Sequence, residues 1–134
     1  MSAAELPGML ATLCSYESCF GPYHPQTLRL MTAIAVAYWQ HGEIAYARPL
    51  LERLVRDLGR YLGRDHELRL QAIAVLRDLS IQQREYEKAG ALQRELVEGR
   101  VHRFGSDHPE TLASRADLAI ILMSTVEHVS NKEV

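Results

Sequence analysis

Apolar residues recur at helical spacing through nearly the whole chain. Leu28, Met31, Ile34, Ala35 and Tyr38 advance in steps of three and four, the period of a helix with one buried face. Ala47, Leu50, Leu51, Leu54, Val55 and Leu58 form a second stripe, and Leu70, Ile73, Leu76 and Leu79 a third. Ala89, Leu92, Leu96 and Val97 form a fourth. Strand-type alternation is absent. The pattern predicts six helices at about 3–19, 25–40, 44–61, 66–82, 86–103 and 108–124, with a polar tail at about 125–134 that frays.

The breaks between stripes repeat. Phe20-Gly21-Pro22-Tyr23-His24-Pro25-Gln26-Thr27-Leu28 returns as Leu62-Gly63-Arg64-Asp65-His66-Glu67-Leu68-Arg69-Leu70. It returns again as Phe104-Gly105-Ser106-Asp107-His108-Pro109-Glu110-Thr111-Leu112. Glycines and histidines alike stand 42 positions apart. A fixed period in this range predicts a solenoid whose units stack only on their neighbours. Each glycine fits the residue just past a helix end, where left-handed backbone carries no Cβ penalty. Asp107 and Glu110 read as a capping box, and Asp65 as a simpler cap. Tyr23 replaces the acid in the first copy, so that cap is weaker or shifts to His24. Pro49 is tolerable only if its helix begins near Ile44–Tyr46, which keeps the proline in or beside the first turn.

Composition narrows the function classes. The chain has 134 residues, 47% of them hydrophobic and 24% charged, the proportions of one ordinary globular domain. Fifteen basic and seventeen acidic side chains are interspersed, leaving a net charge of −2 and no basic stripe for nucleic acid. No apolar run is long enough to span a bilayer, and the first residues lack a secretory signal, so a cytoplasmic protein without membrane or nucleic-acid partners is expected. Cys14 and Cys19 lie five apart on one helix and point in different directions, which argues for free thiols in a reducing compartment.

The six histidines do not imply chemistry. Three recur because the corner recurs, and stacked units would spread them along the solenoid rather than converge them on a metal. No nucleophile elbow or phosphate loop is present. No catalytic residue, metal or cofactor is expected, and the chain reads as a non-enzyme.

The stretch from Tyr38 to Leu54, with its His41-Gly42-Glu43 turn and Ala47-Arg48-Pro49-Leu50-Leu51 run, followed by Leu62-Gly63-Arg64-Asp65-His66, resembles a tetratricopeptide repeat. More narrowly it is similar to the 42-residue kinesin-light-chain type. The resemblance implies an all-α, right-handed solenoid of antiparallel helix pairs. It divides the single domain 1–134 into a half repeat 1–21, repeats 22–63 and 64–105, and a half repeat 106–134. The family's packing positions fall on Ile34, Ala35, Tyr38, Gly42, Ala47, Leu51 and Leu54. In the second unit Arg77, Ser80, Arg84 and Gln93 depart from them, so that unit should pack more loosely or Arg77 should snorkel outward.

The resemblance also implies a role in protein–protein interaction. The first helix of each unit would line a concave groove that holds a partner peptide or helix. The expected groove positions are Arg29, Thr32, Ala33, Val36, Trp39 and Gln40 in the first unit, Gln71, Ala74, Val75, Asp78, Ile81 and Gln82 in the second, and Ala113, Ala116, Asp117, Ile120, Met123 and Ser124 in the last helix. This groove reads as mostly apolar, with Val36, Trp39, Val75, Ile81, Ile120 and Met123 in line and Trp39 as its anchor. The competing expectation is a self-assembly module. Its unpaired terminal helices would leave Leu6, Met9, Leu10 and Leu13 at one end, and Leu118, Ile121 and Leu122 at the other, partly bare and available for homo-oligomer contacts. A third reading is a non-catalytic regulatory segment of a larger protein.

Overall fold

The computed structural model describes residues 6–133, with side chains described over 7–127. Leu6, expected above as an end residue, has a side chain outside that range. Six helices follow in order: α1 (Leu6–Phe20), α2 (Pro25–Gln40), α3 (Ile44–Tyr61), α4 (Glu67–Gln82), α5 (Tyr86–Phe104) and α6 (Pro109–Glu133). No strand occurs among the described residues. Each helix packs on the next, and α2 also touches α4, so these two first-type helices stand side by side. The main core joins Leu28, Met31 and Ala35 of α2 to Ala47, Leu51, Leu54 and Leu58 of α3 and to Leu68, Ala72, Leu76 and Leu79 of α4. Continuity of that core through three helices is what a solenoid needs, since no pair can bury its stripe alone.

The corners form for the expected reason but are capped differently. Gly21, Gly63 and Gly105 adopt φ of 90°, 107° and 93°, the left-handed region open to glycine. The caps come from the histidines rather than the aspartates. His24 Nδ1 accepts the Gln26 N–H at 3.2 Å, His66 Nδ1 the Leu68 N–H at 3.1 Å, and His108 Nδ1 the Glu110 N–H at 3.1 Å. The expected capping box at Asp107 and Glu110 does not form: Glu110 pairs with Arg100 at 2.9 Å instead. Tyr23 does not cap either; its ring stacks on Tyr61 with centroids 4.5 Å apart. Phe20 and Phe104 stack on His24 and His108, at 4.7 and 4.5 Å, and hold those imidazoles over their helix ends. Thr27 and Thr111 close the corner by donating to the carbonyls of Gly21 and Gly105 at 2.9 and 2.8 Å.

In the middle corner Arg69 takes the threonine position and does a larger job. It is 7% exposed. Its Nε donates to the Val55 carbonyl at 3.1 Å, one terminal nitrogen to the Arg64 carbonyl at 2.9 Å, and the other to Glu95 at 3.0 Å. One side chain thereby ties α3, the corner and α5 together. Gly59 makes room for it, since a Cβ there would lie 2.9 Å from Arg69 Nε.

Two further expectations are corrected. The second unit is not loosened by its four departures, and Arg77 does not run out to solvent. Its guanidinium donates to Gln93 Oε1 at 2.8 Å and to Asp78, and Gln93 Nε2 donates to the Ser114 carbonyl at 2.8 Å. Arg77 and Gln93 replace a small–large apolar contact with a hydrogen-bonded chain through α4, α5 and α6. The tail expected to fray from residue 125 instead continues α6 to Glu133. Pro49 falls in the second turn of α3, which starts at Ile44, and both Pro49 and the Ala45 whose carbonyl it leaves without a helical donor are exposed.

Candidate functional site

The side-by-side packing of α2 and α4 opens a groove of about 520 Å³ between them. It is lined by Arg29, Thr32, Ala33, Val36 and Gln40 of α2, by Glu67, Leu68 and Gln71 of α4, and by His66 at the corner. Six of the expected groove residues meet here: Arg29, Thr32, Ala33, Val36, Gln40 and Gln71. Helical spacing brings 29, 32, 33, 36 and 40 to one side of α2.

The groove is not the continuous apolar trough the sequence suggested. Its floor is small and apolar, from Ala33, Val36 and the buried Leu68. Thr32 is also buried, and its hydroxyl is used on the Leu28 carbonyl at 2.8 Å, so it offers the groove no free donor. The rim is polar: Arg29, Gln40, Glu67 and Gln71, with His66 beside them. The corner explains the difference, because the α4 N-terminus with its capping histidine comes up against α2.

The other expected residues lie elsewhere. Trp39 is half-buried and packs with Tyr38 against the main core, its Nε1 enclosed without a hydrogen-bond partner. Val75 packs on the same core. Asp78 accepts from Arg77 at 2.8 Å. Ile81 is half-buried, while Asp117 and Ile120 stand exposed on α6. Met123 borders a separate hollow with Leu122, Val126 and Glu127. The groove residues that sequence reasoning missed as groove lining are His66, Glu67 and Leu68. Periodicity assigns them to a corner and a helix start, and only the close approach of α4 to α2 places them at the groove.

The end residues also sort themselves. Met9 and Leu13 turn inward onto Ile34 and Ala37 of α2. Ile121 is 6% exposed, and Leu118 is half-buried. Leu10 and Leu122 are exposed, but the larger bare residues of α6 are Leu112, Ile120, Met123 and Val126.

A second hollow of about 390 Å³ lies beside Arg64, Asp65, Arg69, Glu95, Glu98, Gly99 and His102. Its charges are largely paired within the protein. Arg69 holds Glu95, and His102 lies 2.8 Å from Asp65, which keeps that carboxyl below its ordinary value. Glu85, in the α4–α5 turn, is likewise held low, first by the hydrogen bond from Lys88 at 2.8 Å and then by Arg48. Among the described residues, no three His, Cys, Asp or Glu side chains gather as a metal site. No helix there is long and apolar enough to cross a membrane.

Residues 27–67, which span α2, α3 and the corner leading into α4, match the tetratricopeptide repeat family model. Among solved structures the chain is similar to the nearly identical TPR-like repeats of a protein described as a kinesin light chain from Podosopora anserina. The TM-score is 0.76 at 23% identity, over 90% of this chain and 57% of that one. A single-substitution variant of the same repeats gives a TM-score of 0.75 at 24% identity, with the same coverage of both chains. The chain therefore spans little more than half the length of the solved chains it matches. No curated protein matches it. Residues 27–67 are similar to a tetratricopeptide repeat, and the chain has the all-α solenoid fold of the TPR-like repeats it matches.

Proposed function

We propose that this protein is a protein–protein interaction module and that the groove between α2 and α4 holds an extended segment of its partner. Tetratricopeptide repeats generally mediate protein–protein interaction. The observation that carries the finer reading is the groove's make-up: a small apolar floor with an amide-bearing, charged rim. A partner's apolar side chain would rest on Ala33, Val36 and Leu68. The amides of Gln40 and Gln71 can both donate and accept, which suits the main chain of an extended peptide. Arg29 is exposed at one end of the groove and would take a carboxylate. In this reading the repeats 22–63 and 64–105 supply the two walls, and Trp39 supports the wall from behind rather than anchoring the ligand.

A displayed peptide library panned on the wild-type chain tests the reading. Selected peptides should share an apolar residue near an acidic one. They should lose at least about tenfold in affinity for a Val36→Asp, Arg29→Glu double variant, a loss of about 1.4 kcal/mol. Both positions point into the groove, so the variant's helical circular dichroism should match the wild type. Peptides that bound the two proteins equally well would contradict the groove assignment.

A further inference from the structure

The three corner histidines are alike in one respect and unlike in another. Each uses Nδ1 to accept a main-chain N–H at the start of the next helix, at 3.2, 3.1 and 3.1 Å. A neutral ring that accepts at Nδ1 carries its proton on Nε2. His24 and His108 lie stacked on Phe20 and Phe104. Leu62 holds that place in the middle corner, so His66 lacks this covering ring. His66 lines the groove between α2 and α4 instead.

The second nitrogen of His66 is open. Among the described residues Nε2 has no hydrogen-bond partner, and it is not enclosed: the enclosed side-chain nitrogens left without a partner are those of Trp39, His41 and Arg100. The cap holds the ring in place, because Nδ1 stays on the Leu68 N–H. The donor at Nε2 therefore stands on the far side of a fixed ring, with its proton assigned. A donor held this way loses less freedom on binding than one on a rotating side chain.

The other polar groups of the groove also call for an acceptor. Arg29 is exposed and can only donate. Gln40 and Gln71 are exposed and can do either. Among the lining residues Glu67 has the one side chain that only accepts, and it lies 3.9 Å from Arg103 Nε. As the neighbour of His66 in the chain, it disfavours a second carboxylate at Nε2. The complement at that point is an uncharged oxygen, which the main-chain carbonyls of an extended peptide supply.

We propose that His66 is a specificity residue of this groove: its Nε2–H donates to a main-chain carbonyl of the bound extended segment, while Arg29 takes that segment's acidic side chain. The inference rests on the groove reading above and brings the corner into it. One imidazole starts α4 through Nδ1 and reads the partner through Nε2.

Peptides selected on the wild-type chain, each with an apolar and an acidic residue, are the probe. His66→Asn keeps the cap, since its Oδ1 takes the Leu68 N–H, but the side chain ends short of the Nε2 position. Its unfolding midpoint should stay close to that of the wild type. Its affinity for the peptides should fall about three- to tenfold, what one neutral hydrogen bond contributes. The same exchange at His24 and at His108, which do not line the groove, should leave the affinity unchanged. In nitrogen-15 spectra of the wild-type imidazoles at mildly alkaline pH, His66 should carry its proton on Nε2, and saturating peptide should shift that N–H. Equal affinity of wild type and His66→Asn, with the Val36→Asp, Arg29→Glu variant still defective, would overturn the role of His66 and leave the groove standing. An equal loss at all three histidines would overturn it as well, since the effect would then come from the caps. So would an Nε2–H signal that saturating peptide leaves unmoved. Peptides indifferent to the Val36→Asp, Arg29→Glu variant would remove the groove reading itself, and this inference with it.

Discussion

At the residue scale, the recurring histidine is a structural part with two contacts. Its Nδ1 accepts a helix-end N–H, and in two corners its ring lies on a phenylalanine. Replacing His108 with alanine should cost about 1 kcal/mol, the usual worth of an N-cap. His108→Asn should recover most of that, since its amide oxygen can take the same hydrogen bond; denaturant unfolding of the three proteins measures both. Arg84 is the opposite case, a residue strained by its place. It holds φ +60° at the turn where the first unit has Gly42, with the same backbone hydrogen bonds around it. Left-handed backbone costs a non-glycine residue about 1–2 kcal/mol, and part of that is returned by the greater freedom of an unfolded glycine. Arg84→Gly should therefore stabilise the fold by a few tenths to about 1 kcal/mol, read from the shift in unfolding midpoint.

Asp65 gives a pH dependence with a definite sign. Its carboxyl is held below the ordinary 3.8 chiefly by the His102 hydrogen bond. A carboxyl whose folded value is lowered contributes above its unfolded value and loses that contribution as the pH falls through the folded one. The stability difference between wild type and Asp65→Asn should be present at neutral pH and close as acid is taken below 3.8. Both groups face solvent, so the difference is small and salt-sensitive. Thermal midpoints measured from neutral to acid pH check both the sign and the window.

At the element scale, the coupling of α4, α5 and α6 rests on Arg77 and Gln93. Gln93 is fully buried and its amide is used on both sides, toward Arg77 and toward the Ser114 carbonyl. Gln93→Leu would remove both bonds while leaving Arg77 on Asp78 and the Ser114 carbonyl within its helix, and should cost about 1–2 kcal/mol. Combined with Arg77→Ala, which restores the small–large pattern of the first unit, the same change should cost clearly less than the two single changes together. A double-mutant cycle by denaturant unfolding measures that coupling.

This pair marks the limit of what the sequence discloses. Helix starts and stops were legible because glycine corners and apolar periodicity are local signals, and they place α2 and α3 at the predicted bounds. Arg77 and Gln93 each look like a defect when aligned with the first unit, and the bond that explains both joins residues on different helices. Acceptance by His108 in place of Asp107 was hidden for a related reason. Either side chain can cap, and the histidine does so in all three corners, with a phenylalanine one turn back in two of them and Leu62 in the third. The extension of α6 was missed because a polar tail resembles a frayed end, whereas β-branched Val126 stands where Gly42 and Arg84 take positive φ, a backbone that a β-branched residue strongly disfavours.

At the scale of the whole molecule, the solenoid creates a surface that none of its helices has alone. Arg29 and Val36 on α2 line a groove only because α4 lies alongside and contributes Leu68 and Gln71. The groove was legible as a set of positions on α2, since the repeat tells which side of a first-type helix faces inward. Its polar character was not, because His66 and Glu67 enter it from a corner that periodicity treats as a turn. The central claim is that the partner lies in the groove between α2 and α4. The most direct measurement is an amide chemical-shift map of the labelled chain titrated with a selected peptide. The account predicts saturable shifts clustered on Ala33, Val36, Gln40 and Gln71, with α6 unmoved; shifts confined to α6 or α1, with the groove silent, would contradict it.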